Sequence, residues 1–164
     1  MIRLIASGPK DYADLIGADT WRGYAVPQGG LEPEPVLRML QGWAARLQAA
    51  QGWGSWLAVT ELGPEIEGVA EVVASLAIKD VAKDGRVEIG YGTAPARRGR
   101  GHATAAVLAL VAELADRGLT QVSAQTALAN PASGRVMVKA GFRRVGHRLD
   151  AEDGTLILWA RDLR

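Results

Sequence analysis

The stretch that decides the fold runs from residue 87 to residue 104 and reads Val87-Glu88-Ile89-Gly90-Tyr91-Gly92-Thr93-Ala94-Pro95-Ala96-Arg97-Arg98-Gly99-Arg100-Gly101-His102-Ala103-Thr104. Its first seven residues alternate between apolar and small or polar types, which predicts a strand. Apolar residues then recur at helical spacing, which predicts a helix from His102 to Arg117. A strand, a turn with two glycines and a long helix therefore follow one another.

The start of this helix has the properties of an anion site. No Ser, Asp or Asn stands where an N-cap is expected, and no acidic residue occurs in the helix before Glu113. The first N–H groups of a helix have no partner within it, and the helix dipole adds partial positive charge there. The glycines allow a phosphate to approach this backbone closely, and Arg97, Arg98 and Arg100 add charge. We interpret the turn as open to an anion, with an ordinary basic turn as the alternative.

Two common phosphate-binding motifs do not fit the turn. A nucleotide-binding P-loop requires Lys-Ser/Thr after the glycines, and a dinucleotide fingerprint requires a third glycine; this turn has neither. Arg-Gly pairs also occur in nucleic-acid binders, but no aromatic residues are interleaved with this isolated pair. We therefore expect no nucleic-acid partner.

The remaining segments predict a single α+β domain over residues 1–164. Upstream, the predicted elements are a strand over Met1–Ala6, a loop with a short helix over Gly8–Thr20, a loop over Trp21–Pro35, a helix over Pro35–Ala50, and strands over Trp53–Glu61 and Val69–Ile78. Downstream they are strands over Val122–Leu128, Phe142–Leu149 and Thr155–Ala160 and a helix over Pro131–Ala140, with turns at Gly63-Pro64, Lys83-Asp84-Gly85 and Asp153-Gly154. The alternation of strands and helices downstream implies a partly parallel sheet with helices on its faces.

Composition excludes several classes of protein and site. The 164 residues contain no Cys, which removes disulfides, thiolate nucleophiles and cysteine metal ligands, and the two His make a histidine metal centre improbable. The longest apolar stretch, Ala103 to Ala112, is about half the length that a bilayer requires. We therefore expect a cytoplasmic protein without a metal or a membrane partner. Residues 1–82 hold 6 Lys or Arg and 10 Asp or Glu, whereas residues 83–164 hold 13 and 8. An acidic first half favours a cationic acceptor, and a basic second half favours an anion.

The turn and the segments around it resemble the GNAT superfamily of acetyl-CoA-dependent N-acetyltransferases. That family carries Arg/Gln-x-x-Gly-x-Gly/Ala here, which is matched by Arg98-Gly99-Arg100-Gly101-His102-Ala103. Glu88-Ile89-Gly90-Tyr91, Asn130-Pro131-Ala132-Ser133 and Lys139-Ala140-Gly141-Phe142 are similar to the branch that contains the ribosomal-protein N-terminal (alanine/serine) acetyltransferases. The resemblance implies a GNAT-like, mixed, mostly antiparallel sheet of about six to seven strands with helices on both faces.

The resemblance also implies how acetyl-CoA is bound. The pyrophosphate is expected on the turn and helix start, formed by Arg98, Gly99, Arg100, Gly101, His102, Ala103 and Thr104. The pantetheine arm is expected beside Tyr91 and Thr93, in a splay between this strand and the next, with a hydrogen bond from Asn130.

The implied reaction is direct attack of a primary amine on the thioester, without a covalent intermediate. The predicted base is Glu88, which shares one side of its strand with two glycines that leave space beside the carboxylate; the alternative is a solvated surface Glu. Many family members protonate the leaving thiolate with a Tyr at the position of Met137. In this branch Ser133 matches the usual proposal, and the alternative is that it braces the short helix.

The expected partner is an amine acceptor, either a small molecule or a peptide N-terminus. Trp21 and Tyr24, in the loop rich in Gly and Pro, are the predicted acceptor contacts, whereas Trp43 lies on an apolar helix face and is interpreted as core. A homodimer is compatible with the pattern. The alternative function is a non-catalytic acyl-CoA-binding or sensing module of the same fold.

Overall fold

A computed structural model describes residues 1–61 and 68–163, and most of its strands form one seven-stranded sheet. The strands are β1 (Ile2–Ala6), β2 (Thr20–Trp21), β3 (Tyr24–Ala25), β4 (Ser55–Thr60), β5 (Val72–Ile78), β6 (Arg86–Thr93), β7 (Gln121–Ala127), β8 (Arg143–Asp150) and β9 (Gly154–Asp162). The helices are α1 (Pro9–Leu15), α2 (Glu34–Gln51), α3 (His102–Asp116) and α4 (Pro131–Lys139), with a 3₁₀ turn at Pro95–Arg97. The predicted turn at Gly63-Pro64 lies outside the described residues.

The sheet is antiparallel except at its centre. Its order is β1-β4-β5-β6-β7-β9-β8, and only the β6–β7 pair is parallel among the strand pairs of this sheet in the described residues. That pairing covers Arg86–Ile89 against Gln121–Ala124 and then stops, while β6 continues along β5 and β7 continues along β9. A gap therefore opens between the carboxyl halves of β6 and β7, as predicted.

Helices cover both faces of the sheet, each over its own apolar cluster. On one face α1 and α2 pack with the sheet around Tyr12, Leu40 and Leu57. On the other face α3 and α4 pack around Leu110, Leu114 and Met137, all fully buried. The predicted fold class, a mixed and mostly antiparallel sheet with helices on both faces, is confirmed.

Most element ends differ from the predictions by one or two residues, and two differences are larger. The predicted loop over Trp21–Pro35 contains part of a two-stranded ribbon, in which Thr20 and Trp21 of β2 pair with Ala25 and Tyr24 of β3. The strand predicted from Val69 begins at Val72, because Val69 is 66% exposed while the strand itself is buried throughout. No helix in the described residues is both long and apolar enough to cross a membrane.

Candidate functional site

The turn before α3 presents backbone N–H groups that have no acceptor. Gly99 and Gly101 adopt φ values of 74° and 80°, which only glycine takes up without strain, and Gly101 begins α3 without a side-chain cap. Within residues 1–61 and 68–163, no atom accepts a hydrogen bond from the amides of residues 99 to 104. No acidic residue lies in the first turn of α3. The predicted uncapped, positive helix start is confirmed.

A cavity of about 580 Å³ lies over this helix start. It brings together every predicted cofactor-binding residue except Arg100, together with Ser133. Its lining is Tyr91, Gly92, Thr93, Arg97, Arg98, Gly99, Gly101, His102, Ala103, Thr104, Asn130, Ala132, Ser133, Arg135, Val136 and Lys139. We call this the α3 cavity.

The lining of the α3 cavity is cationic. It carries four Arg or Lys side chains and no Asp or Glu, and two of them, Arg135 and Lys139, were not among the predicted site residues. Their i, i+4 spacing on the short helix α4 was the available signal, because it puts both on one helix face. Burial and the neighbouring Arg100 lower the pKa of His102, which keeps its imidazole neutral at pH 7. The cavity therefore combines fixed positive charge with unpaired amide donors.

An ion pair fixes the segment that leads into the turn. Arg97 donates from Nε and Nη2 to the two carboxylate oxygens of Glu71, at 2.7 and 2.6 Å. Glu71 lies just before β5, so the pair fastens the 3₁₀ turn to the sheet. The hydrogen bonds from Arg97 lower the pKa of Glu71. Sequence analysis did not identify this pair, since its members are 26 positions apart.

The side chain of Tyr91 reaches from β6 to the start of α4. Its hydroxyl donates to the Ser133 carbonyl at 3.1 Å and lies 3.5 Å from Ser133 Oγ. Burial raises the pKa of Tyr91, so the phenol stays protonated at neutral pH. Asn130 Oδ1 accepts from the Ser133 amide at 3.3 Å, which makes Asn130 the N-cap of α4. The sequence analysis gave Tyr91 a backbone role only and missed its hydroxyl.

Glu88 lies outside the lining of the α3 cavity. Its carboxylate is 2.9 Å from Lys79 Nζ and accepts from Gln125 Nε2 at 2.8 Å. The space expected beside Gly90 is taken by Lys79, whose Cε lies 3.4 Å from where a Cβ on Gly90 would stand. The predicted base is therefore held in a polar cluster, and it lines a separate cavity of about 510 Å³ that neither Tyr91 nor the turn before α3 reaches.

A second carboxylate, Glu32, occupies the space beside Gly92. A Cβ at Gly92 would stand 3.0 Å from Glu32 Cδ and still closer to an oxygen. Ser75 Oγ donates to Glu32 Oε1 at 3.1 Å. Burial raises the pKa of Glu32, and the Ser75 hydrogen bond and the charge of Arg98 offset this only in part. Sequence analysis missed Glu32, because nothing in the loop around it indicates which strand it meets.

Glu32 lines a smaller cavity of about 170 Å³ between α2 and the sheet. We call it the α2 pocket. Its walls are Glu32, Val36, Met39, Leu40, Trp43, Ser75, Ala77, Lys79, Gly90 and Tyr91. Trp43, interpreted from sequence as core, is only partly buried and forms part of this wall. Tyr91 lines both the α2 pocket and the α3 cavity, so the two spaces adjoin the same short stretch of β6.

The structure places the two predicted acceptor aromatics elsewhere. Trp21 is 3% exposed, and its indole N–H donates to Asp11 at 3.2 Å, so it belongs to the core beneath α1 and offers no face to a ligand. This corrects the sequence-based role of Trp21. Tyr24 is half-buried and its hydroxyl accepts from Arg3. Neither residue lines the α2 pocket or the α3 cavity.

The fold is shared with several solved structures that cover nearly all of this chain. RimJ of Mycobacterium smegmatis, solved in complex with CoA-disulfide, is 23% identical with a TM-score of 0.65, and the match covers 98% of this chain and 81% of that one. Ribosomal-protein-S5-alanine acetyltransferase of Vibrio fischeri is 13% identical with a TM-score of 0.67, covering 98% and 92%. AAC(6′)-Ib in complex with ribostamycin and coenzyme A is 20% identical with a TM-score of 0.64, covering 98% and 93%. At these identities the likeness establishes the fold.

The chain belongs to the GNAT acetyltransferase family. The family model described as "Acetyltransferase (GNAT) domain" matches residues 2–143, which is most of the sequence. No curated protein matches the chain. The resemblance found in the arginine-glycine turn is thereby confirmed. Two structural neighbours, RimJ and the ribosomal-protein-S5-alanine acetyltransferase, match the branch that the downstream motifs resemble.

Proposed function

We propose that this protein transfers an acetyl group from acetyl-CoA to a primary amine by direct attack in a ternary complex. The observation that carries the proposal is the row of six unpaired amides, residues 99 to 104, at the start of α3, where all of these residues but Arg100 line a cationic cavity. A diphosphate is the ligand that this donor set fits, because it offers several anionic oxygens to backbone N–H groups and arginines. The CoA complexes of structural neighbours support the same assignment.

The gap between β6 and β7 supports the placement of the acyl arm. An extended chain lying there would meet the backbone of Tyr91 and Thr93 on the unpaired edge of β6, and it would pass Asn130 and Ser133 at the start of α4. The arm would therefore end close to the Tyr91 hydroxyl, where the two cavities adjoin.

The reaction requires removal of two protons from an alkylammonium ion. The amine nitrogen forms a bond to the carbonyl carbon, the carbon–sulfur bond breaks, one proton goes to a base and then to water, and the other goes to the departing sulfur. Tyr91 and Ser133 are the hydroxyl donors at the position proposed for the sulfur. For Glu88, the base predicted from sequence, the ion pair with Lys79 would have to open or a water would have to carry the proton.

An amine acceptor is supported by the structural neighbours, which include an enzyme solved with ribostamycin and one named for alanine of a ribosomal protein. The test is release of free thiol from acetyl-CoA with a panel of amines and peptide N-termini. The absence of Cys removes any thiol signal from the protein itself. Release that depends on the acceptor is the expected result and gives the substrate class directly.

The alternative, a non-catalytic acyl-CoA-binding module, has its own outcome in this experiment. Tight binding of acetyl-CoA without turnover across the panel would favour the binding module. Absence of binding would contradict the assignment of the α3 cavity and both functions with it.

A further inference from the structure

We propose that Glu32, on the loop before α2, binds the acceptor ammonium group in the α2 pocket and is the base that deprotonates it. This inference rests on the proposed acetyl transfer and deepens it, because it assigns the acceptor position and the proton acceptor within the same site. Three observations carry it. The Glu32 carboxylate fills a space, here called the cradle, that the missing side chain of Gly92 leaves open. Tyr91 lines both the α2 pocket and the α3 cavity, and apolar side chains surround the carboxylate.

The cradle shows that β6 is shaped around this carboxylate. Gly92 lies opposite Ser75 on β5, and only the missing side chain at position 92 leaves room for the Glu32 oxygens. Ser75 donates to one of these oxygens, which fixes the carboxylate at the strand. An additional lone pair on each oxygen remains for an ammonium hydrogen.

The shared wall places the carboxylate beside the reacting atoms. Gly92 and Tyr91 line the α3 cavity, while Tyr91 and Glu32 line the α2 pocket. An amine that enters along α2 therefore reaches the strand on the side opposite the acyl arm. Because β6 no longer pairs with β7 beyond Ile89, the thioester can pass through the gap and meet the nucleophile beside residues 90–92 of β6.

The walls of the α2 pocket favour an ammonium group carried on apolar atoms. Val36, Leu40 and Trp43 present hydrocarbon and an aromatic ring, and Met39, which is 45% exposed, stands at the mouth. Burial raises the pKa of Glu32, which makes this carboxylate a stronger base than a solvated one.

Two cationic side chains face the same space and set its charge. Lys79 lines the α2 pocket but is paired with Glu88, and Arg98 acts on Glu32 from the turn before α3. When Arg98 is neutralised by a bound diphosphate, its effect on Glu32 falls, so the carboxylate becomes more basic once the acyl donor is in place.

The decisive experiment compares Glu32→Gln with Glu34→Gln. Glu34 is an exposed carboxylate two residues away that pairs with Arg38, so its variant controls for removal of a charge at this end of α2. We expect Glu32→Gln to lower kcat/KM for the amine on the order of 10² at pH 7, with acetyl-CoA binding and Tm retained. Glu34→Gln should match the wild type.

The pH profile separates a base from a structural residue. Without its base the enzyme uses only acceptor that is already deprotonated, so kcat/KM of Glu32→Gln should rise about tenfold per pH unit up to the pKa of the amine. The deficit against the wild type should therefore shrink as the pH rises. A deficit that is constant with pH, or that comes with a lowered Tm, would show a structural role and overturn the inference.

A second variant acts on the same carboxylate from the strand. Gly92→Ala places a methyl group where the Glu32 oxygens lie, and because Gly92 does not have a positive φ, the backbone tolerates Ala. It should lower turnover, and adding it to Glu32→Gln should cause little further loss, since both changes remove one interaction.

The outcomes also separate this inference from the proposed function. A wild type that releases no thiol with any acceptor contradicts the proposed function itself. An active wild type with an equally active Glu32→Gln variant overturns only the inference. If Glu88→Gln, and not Glu32→Gln, shows the tenfold rise per pH unit, the base is Glu88 and the inference is wrong.

Discussion

At the scale of single residues, the two hydroxyls at the mouth of the gap differ in what they can do. Tyr91 is partly buried, protonated and hydrogen-bonded to the start of α4, where Ser133 lies next to its hydroxyl. We expect Tyr91→Phe to lower kcat by about 10²-fold, because the departing sulfur loses its proton donor, while Ser133→Ala has a smaller effect. Steady-state thiol release measures both variants.

Binding of acetyl-CoA is the control for this comparison, since the hydroxyl is needed for turnover and not for the diphosphate contact. Unchanged Kd with reduced kcat is the expected pattern for Tyr91→Phe. A larger loss in Ser133→Ala would reverse the assignment and restore the donor predicted from sequence.

The carboxylates show where residue-level prediction from sequence ends. Alternation placed Glu88, Gly90 and Gly92 on one side of β6, and the inference that the glycines make room for something was sound. The sequence could not tell that the room beside Gly92 is filled by Glu32, which comes from 60 residues upstream. Contacts of this kind depend on tertiary packing, which local periodicity does not encode.

At the scale of elements, the helix start of α3 permits a matched pair of substitutions. Gly101 and Gly118 have φ values of 80° and 82°, and a Cβ at either would meet no atom within 4 Å. Gly101→Ala and Gly118→Ala should therefore be strained alike, by about 1–2 kcal/mol of unfolding free energy. Only Gly101→Ala should also weaken acetyl-CoA binding, because it moves the amides at the start of α3.

Thermal unfolding and calorimetric titration check this pair. Equal loss of affinity in both variants would mean that general destabilisation, and not the geometry of the turn, controls binding. A retained affinity in Gly101→Ala would contradict the assignment of the anion to these amides.

The ion pair between Glu71 and Arg97 gives a prediction about pH at the same scale. Arg97 holds the folded-state pKa of Glu71 below its unfolded value of about 4.3, so the pair stabilises the fold fully above that pH and its contribution is lost as the pH falls through the folded pKa. Below about pH 4.3, we expect the Tm of the wild type to fall more steeply with decreasing pH than the Tm of Glu71→Gln.

The control for this titration is Glu113→Gln. Glu113 pairs with Arg117 one helical turn away on the surface of α3, where such pairs stabilise little. Its Tm profile should follow that of the wild type. Parallel profiles for the wild type and Glu71→Gln would mean that the pair does not fasten the 3₁₀ turn.

Elements were predictable where sequence pattern and burial agree. The helix from His102 was found because its apolar face packs fully against the sheet, and its end differs by a single residue. The ribbon of β2 and β3 was missed because two residues per strand give no periodicity, and its pairing is held by contacts of Trp21 with α1. The sequence therefore predicted long elements and left the loop that supplies Glu32 without a structure.

At the scale of the whole molecule, the acidic first half and the basic second half of the chain both contribute residues to the candidate site. The basic half supplies the cationic lining of the α3 cavity, and the acidic half supplies Glu32 in the adjoining α2 pocket. From the sequence we expected the basic second half to bind an anion and the acidic first half to bind a cationic acceptor. What it could not supply was the sheet order, which brings β5 of the first half beside β6 of the second.

The same division predicts how the fold responds to its anionic ligand. A ligand that binds only the folded state stabilises it by about 2.7 kcal/mol at 100 times its Kd, so acetyl-CoA should raise Tm in a concentration-dependent way. Because Arg98, Arg135 and Lys139 line the cavity and are exposed, salt screens their attraction, and the rise should shrink as NaCl goes from about 0.05 M to about 0.5 M. Differential scanning fluorimetry measures it, with the ligand-free protein at each salt concentration as the control. A rise in Tm that is independent of salt would assign the binding to the amides of the turn alone, and the cationic lining would then have no part in holding the ligand.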